Sequence, residues 1–327
     1  MDIKQNFLET VRWGNPKALV NEWEALTLNF DPLMGMVLVA TPGQTLVDPW
    51  GVTMHFGEGE PGPIPINTPD KRVCPDITRW DEYVKVPDIA GATLDWTGAQ
   101  AQAREIRAGG KLAMSLMATG LFEQSHFLMG FEDTLINLIA EKDAMHALLD
   151  AILEYKLTWL RLLIKNNKPD VILSHDDFGT KASLFMSPEL WREFYKPRYE
   201  KLYRLAREND IIVIHHADSY GQQIAGDLAE AGAQVWQGVL PQNDIKALQK
   251  ELKGKMVLMG GIDAAVVDYE GVPESTVRKE VRRACEEYAP AGGFIPCLTY
   301  GLEGSIYPGV NDIIMDEIRA LSPKYFK

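Results

Sequence analysis

The chain has 327 residues, 46% hydrophobic and 24% charged, which is ordinary for a globular protein and ample for one large core. A net charge of −13 repels nucleic-acid phosphates, and no run of about 18 or more apolar residues offers a membrane span. Three cysteines make no disulfide framework, and the N-terminus lacks the apolar core of a signal peptide, so a cytoplasmic location is expected.

In chain order, an amphipathic helix opens the sequence and breaks at Gly14-Asn15-Pro16, and a second begins near Lys17. The apolar run Met34 to Ala40 has strand character. From Thr41 to Pro87 the chain is irregular and rich in Pro and Gly, and so long a loop region in a compact chain is usually functional. Within it DPWGVTMHF reads as one strand of a hairpin and EGEPGPIP as a turn. Residues 1–90 are therefore expected to form N-terminal helices and a lid or hairpin elaboration over one end of the fold.

From Leu112 the rhythm is regular. A buried strand, KLAMSLMATG, precedes a helix through Thr134 to Ile139 and a longer one from about Asp143 to Asn166. In the longer helix Met145, Leu148, Ile152, Tyr155, Trp159 and Leu162 recur three or four apart, as a core-facing stripe does. The strand Val171 to Leu173 follows, then a helix that opens on the cap Ser187-Pro188 and runs toward Asn209, bent at Pro197. Strands at Ile211 to His215, Gln234 to Gln237, Met256 to Met259 and Gly293 to Cys297 alternate with further helices. Short apolar strands alternating with longer helices indicate βα units and a parallel sheet. The expected fold is α/β, a single (β/α)8 TIM-barrel domain over residues 1–327 with the N-terminal elaboration. An open doubly wound sheet is the alternative, weakened by the lack of a G-x-G-x-x-G turn after any early strand.

In a barrel the residues just past the C-terminal strand ends converge on one face. Those ends carry Glu123, Gln124 and His126; His175, Asp176 and Asp177; His215, His216 and Asp218; then Gln237, Asp263 and Cys297 with Tyr300 and Tyr307. Four of the chain's six histidines fall there. Imidazole, thiolate and carboxylate together suit zinc with one position open for substrate, where the ion acts as a Lewis acid. The bland alternative is that His175, Asp176 and Asp177 cap loops and orient one another. The aromatic side chains Trp236, Phe185, Phe178, Tyr300 and Tyr307 near the same ends offer an apolar lining for a flat substrate.

GLFEQSHFLMG, VIHHADSY, AGAQVWQGV, LMGGID and PCLTYGLEGSIYPGVND together resemble the uroporphyrinogen decarboxylase superfamily across nearly the whole chain. The resemblance implies a TIM barrel and two activities, porphyrinogen decarboxylation and methyl transfer to or from a corrinoid. The decarboxylases carry an N-terminal arginine-rich segment, R-Q-A-G-R, for the substrate's carboxylates, and this chain has nothing similar. DPWGVT, HHADSY and SIYPGV look instead like the branch of O-demethylase methyltransferases of anaerobic bacteria. That likeness implies transfer of a methyl group from a phenyl methyl ether to the Co(I) corrinoid of a partner protein, the leaving phenolate being stabilised by zinc or an acid; the alternative is a tetrapyrrole decarboxylase. Zinc enzymes of the superfamily hold their metal with H-x-C and a later cysteine. His215 and Cys297 match the first and last positions, Ala217 replaces the middle cysteine, and Glu123, His216 or Asp218 is left to complete the set. The catalytic candidates are thus His215, His216, Asp218, Asp177 and Glu123, and the metal candidates His215, Cys297 and Glu123. The candidates for substrate binding are His126, His175, Asp176, Trp236, Tyr300 and Tyr307. No cobalamin-binding D-x-H-x-x-G occurs, so the corrinoid is expected on a separate protein.

Overall fold

The computed structural model describes residues 1–34, 41–58, 60, 62–299 and 306–326. Ten strands are present among them: β1 (Leu26–Leu28), β2 (Thr45–Val47), β3 (Thr53–His55), β4 (Ile64–Pro65), β5 (Leu112–Met117), β6 (Val171–His175), β7 (Ile212–His216), β8 (Val235–Val239), β9 (Val257–Gly261) and β10 (Phe294–Cys297). Seven of them form one parallel sheet in the order β1-β5-β6-β7-β8-β9-β10. With a helix after nearly every strand it curls into a TIM-barrel-like α/β fold, the class expected. Each strand beyond β5 pairs with the one before it, which is the topology that right-handed βα units produce.

The sheet is apolar on both faces, because helices cover one side and the barrel interior lies on the other. β5, β8 and β9 are buried along their whole length. The long helix Lys142–Asn166 buries Met145, Leu148, Ile152, Tyr155 and Trp159 as its periodicity predicts. The stretch after Ser187 divides into two helices, Pro188–Phe194 and Lys196–Arg207. Ser187 accepts the Leu190 N–H at the first, and Pro197 sits in the first turn of the second.

Several expectations change. The first barrel strand is Leu26–Leu28, paired with Leu112–Met114. The strand expected from Met34 to Ala40 lies, beyond Met34, outside the described residues. Two helices escape the periodicity argument for opposite reasons. Thr97–Ala108 buries only Ala99, Ala103 and Ile106, too little for an apolar stripe, whereas Leu121–Met129 is buried on most sides and so shows no polar face.

Between β10 and β1 the described residues record no ladder, and side chains bridge the seam instead. Gln237 of β8 donates from Nε2 to Glu22 Oε1 at 2.8 Å and to the Thr299 carbonyl at 3.3 Å, and Glu22 also bonds the Cys297 side chain. A cavity of about 390 Å³ lies here, between Glu22, Cys297 and the covering helix Val310–Leu321. The N-terminal elaboration holds the antiparallel sheet β2-β3-β4, with Trp50 edge-on to Tyr155 at 4.9 Å. Farther along, the Cys74 N–H donates to the Leu128 carbonyl at 2.9 Å, so this region packs on the helices that follow β5. No helix among the described residues is long and apolar enough to cross a membrane.

Candidate active site at the barrel mouth

The site is built from the C-terminal ends of β6, β7 and β8 and from the helix Leu121–Met129. His175 and His216 are register partners on adjacent parallel strands, and their rings stack with centroids 4.5 Å apart and planes 18° from parallel. Each is held at Nδ1: His175 by Glu123 Oε2 at 2.9 Å, His216 by Gln237 Oε1. The nitrogen left on each ring is Nε2.

Glu123 owes its place to the helix it begins. As the third residue of Leu121–Met129 it reaches back to the Gly120 N–H (3.2 Å) with the same oxygen that meets His175. Asp176 completes the cap, accepting the Phe122 and Glu123 N–H groups at 2.9 Å each and the Tyr199 hydroxyl at 2.5 Å. Two carboxylates at one helix N-terminus satisfy donors that the helix cannot, and the helix dipole favours both. The packing also explains Gly120. A Cβ there would lie 2.1 Å from the Asp176 carboxyl carbon, so no larger residue permits the cap.

The charges follow from burial and neighbours. Burial disfavours an imidazolium at position 175, but Glu123 with its hydrogen bond, then Asp177 and Asp176, outweighs it and lifts His175 to about 10. Glu123 is correspondingly held below its ordinary value: burial pushes it up, and the His175 imidazolium more than reverses this. His216 is pushed down to about 4, by burial first and then by the charge on His175. Asp177 and Asp218 both rise to about 6. Burial is the main cause for each; Glu123 adds to it at Asp177, and Asp177 adds to it at Asp218. The Asp177 carboxylate accepts the Asp218 N–H at 2.9 Å, which ties the β6 and β7 loops together.

The two adjacent histidines of β7 part company, because successive side chains of a strand point to opposite faces. His216 faces the mouth. His215 faces the helical layer, where its ring lies parallel to Phe178 at 5.9 Å and its Nδ1 meets the Tyr203 hydroxyl at 2.7 Å. Burial lowers His215 to about 3, with His216 and His175 adding to the effect. Cys297 meets Glu22 at the β10 seam, and burial raises its thiol well above its ordinary value. The expected ligand set of His215, Cys297 and Glu123 is therefore not assembled, since three neighbouring elements turn these side chains toward different partners. Among the described residues the donor atoms that lie within 4.8 Å of one another belong to His175, Asp177 and His216. Two imidazoles and a carboxylate suit zinc with a position open for substrate, and Glu123 behind His175 is the kind of carboxylate that orients a metal-bound imidazole.

The remaining candidates separate as well. Glu123 and His126 lie on a helix rather than a loop, and His126 sits among Phe122, Phe127 and Phe131 at 5.0–5.7 Å, its imidazole held below its ordinary value mainly by burial. Asp176 is wholly buried and serves as the helix cap. Trp236 alternates with Gln237 and therefore faces outward, donating from Nε1 to the Ala217 carbonyl at 2.9 Å. Tyr307 is exposed and bonds Asp268 through its backbone N–H; Tyr300 lies outside the described residues. Sequence reasoning missed Glu22. An acidic residue just before a short strand carries no signal that it enters the barrel.

A family model described as Uroporphyrinogen decarboxylase (URO-D) matches residues 44–320. A uroporphyrinogen decarboxylase of Legionella pneumophila (strain Paris) is 26% identical over 194 residues, which is 58% of this chain and 52% of that protein. The match thus spans about half the length of that relative. Another, from Saccharopolyspora erythraea, is 27% identical over 286 residues, covering 84% and 74% of the two chains. Among solved structures a methyltransferase from Methanosarcina mazei superposes with a TM-score of 0.70 over 97% of this chain and 98% of its own, at 17% identity. At that identity the likeness concerns the fold.

Proposed function

The chain belongs to the uroporphyrinogen decarboxylase (URO-D) family, and from that premise we propose that it is a methyltransferase acting on an aryl methyl ether, with the Co(I) corrinoid of a separate protein as acceptor. The observation that carries this reading is the His175–Asp177–His216 group, backed by Glu123, at the end of the barrel where such folds do their chemistry. It concentrates positive charge on one small spot inside a ring of carboxylates. That suits stabilisation of a single leaving oxygen. It suits a polycarboxylate tetrapyrrole poorly, since Glu123, Asp177 and Asp218 would repel one, and Lys181 is the lysine whose charge acts on Asp218.

In the reaction the corrinoid supplies an electron pair to the methyl carbon, the carbon–oxygen bond breaks, and its pair stays on the phenolate oxygen. The protein's work is at that oxygen. His175, kept protonated by Glu123, would give it a proton, a contribution of about 10²–10⁴ in rate. Zinc held by His175, Asp177 and His216 would instead supply Lewis acidity there. Phe131 and Phe185 pack edge to face at 4.8 Å over the buried Phe122 of the helix Leu121–Met129, an apolar surface of the kind that would suit an aryl ring.

The test is a panel of methoxylated benzoates and phenols incubated with reduced cobalamin. Formation of methylcobalamin together with the free phenol supports the reading, whereas no methyl transfer across the panel, with CO2 released from a tetrapyrrole, would overturn it. The names of the curated relatives favour that second activity, so both substrates belong in one experiment. Metal content of the purified protein then separates the two ways of stabilising the oxygen: zinc lost in His216→Ala but retained in Cys297→Ala points to the group at the mouth.

A further inference from the structure

The side chain behind His216 is an amide, and amides are directional. Gln237 can accept at Oε1 and donate at Nε2, and which end faces the histidine decides which ring nitrogen carries the proton. The hydrogen-bond network orients the amide, because Nε2 lies 3.3 Å from the Thr299 backbone carbonyl. A carbonyl oxygen only accepts, so the nitrogen must be on that side. Glu22 Oε1 accepts a second hydrogen bond from the same nitrogen at 2.8 Å. Both amide hydrogens are then used, and Oε1 is left facing His216 Nδ1.

We infer that Gln237, anchored by Glu22 and Thr299, is a positioning residue that fixes His216 as the tautomer protonated on Nδ1, presenting the lone pair of Nε2 to the barrel mouth. This deepens the proposed function and rests on it only for its consequence. His216 would offer the mouth an acceptor or a ligand atom, and the adjoining His175, gripped by the carboxylate of Glu123, a donor. Two stacked rings of one residue type thereby take opposite roles, and the partner at each Nδ1 selects the role. The chain of contacts also gives the N-terminal segment a part in the site, since Glu22 precedes β1 and reaches Gln237 across the seam at which the sheet ends. All three members, Glu22, Gln237 and His216, are buried, which strengthens the bonds between them.

The experiment is long-range ¹H–¹⁵N correlation on the whole protein labelled with ¹⁵N-histidine, with the His216 signals assigned by their loss in His216→Gln. The spectrum reports directly which ring nitrogen is protonated. In the wild-type protein at neutral pH the expected pattern is a protonated Nδ1 and a bare Nε2. Gln237→Leu should move the proton to Nε2, the form usual in water, while Gln237→Glu, which still accepts from Nδ1 but brings a carboxylate as Glu123 does at His175, should keep the Nδ1 proton and add a second at Nε2. A wild-type His216 protonated on Nε2 or on both nitrogens overturns the inference whether or not the variants fold. So does a folded Gln237→Leu protein whose His216 keeps its proton on Nδ1. The wild-type measurement needs no turnover: a protein that transfers no methyl group but shows this tautomer defeats the proposed reaction and leaves the positioning role standing.

Discussion

The inner and outer faces of β6 and β7 put the same residue types to different uses. On the inner face His175 and His216 stack at the mouth, joined to Glu123, Asp177 and Gln237. On the outer face Ser174 and His215 are register partners, both bonded by the Tyr203 hydroxyl and sealed beneath Phe178 and Tyr199. The inner pair keeps its Nε2 atoms at the mouth beside carboxylates, whereas the outer histidine, its own Nε2 likewise without a partner, is closed over by the helix Lys196–Arg207. A titratable side chain at a strand end is thus a candidate for chemistry only if its parity directs it toward the mouth.

The sharpest way to break the comparison is to remove one histidine from each face. His175→Gln, whose amide can still donate to Glu123, should lower methyl transfer by about 10²–10⁴ with little change in urea midpoint, because His175 acts through its proton. His215→Ala should do the reverse. It should leave turnover per folded molecule near wild type but cost about 2–4 kcal/mol in urea unfolding, since it opens a void under Phe178 and takes a partner from Tyr203. Equal losses of rate in both variants would abolish the distinction between the faces.

The cap that carries Glu123 comes next in size. Asp176→Ala leaves two helix N–H groups and the Tyr199 hydroxyl without their acceptor, at an expected cost of about 2–4 kcal/mol. It should also lower activity through the displacement of Glu123, and Asp176→Asn should recover part of both.

Glu22 makes the same comparison testable through pH. Burial, partly offset by bonds from Gln237 and Cys297, lifts its carboxyl to about 8 from an ordinary value of 4.5. The folded state therefore binds a proton that the unfolded state has lost between those values, so this group's contribution is complete below about 4.5 and is lost as pH rises through about 8. Glu22→Gln, which mimics the protonated acid, should flatten the decline in stability between pH 5 and 8, by roughly a few kcal/mol in denaturant titrations at the upper end. A wild-type slope that persists in the variant would place the effect elsewhere, for example on Asp176, which burial and then Glu123 raise to about 7. The smallest effect belongs to Tyr307→Phe. Its exposed ring makes the stability change less than about 0.5 kcal/mol, as thermal unfolding would show.

Much of this molecule is legible in the chain itself. The alternation of short apolar strands and long helices from Leu112 onward specifies a βα fold, because each strand must be covered on both sides and only helices of that length return the chain in parallel. The crowding of His175, Asp176, Asp177, His216 and Asp218 past strand ends marks the face that carries the site for the same reason. What the chain does not reveal is which side each residue takes. In a sheet exposed on one face, polar residues alternate with apolar ones and disclose the orientation. Here both faces are buried, so Ile-Val-Ile-His-His reads the same whichever way it is turned. Only the curl of the sheet decides that His216 meets His175 while His215 meets Tyr203. Only long-range packing brings Glu22 to Gln237, 215 positions along the chain, and gives Cys297 to that acid rather than to a histidine.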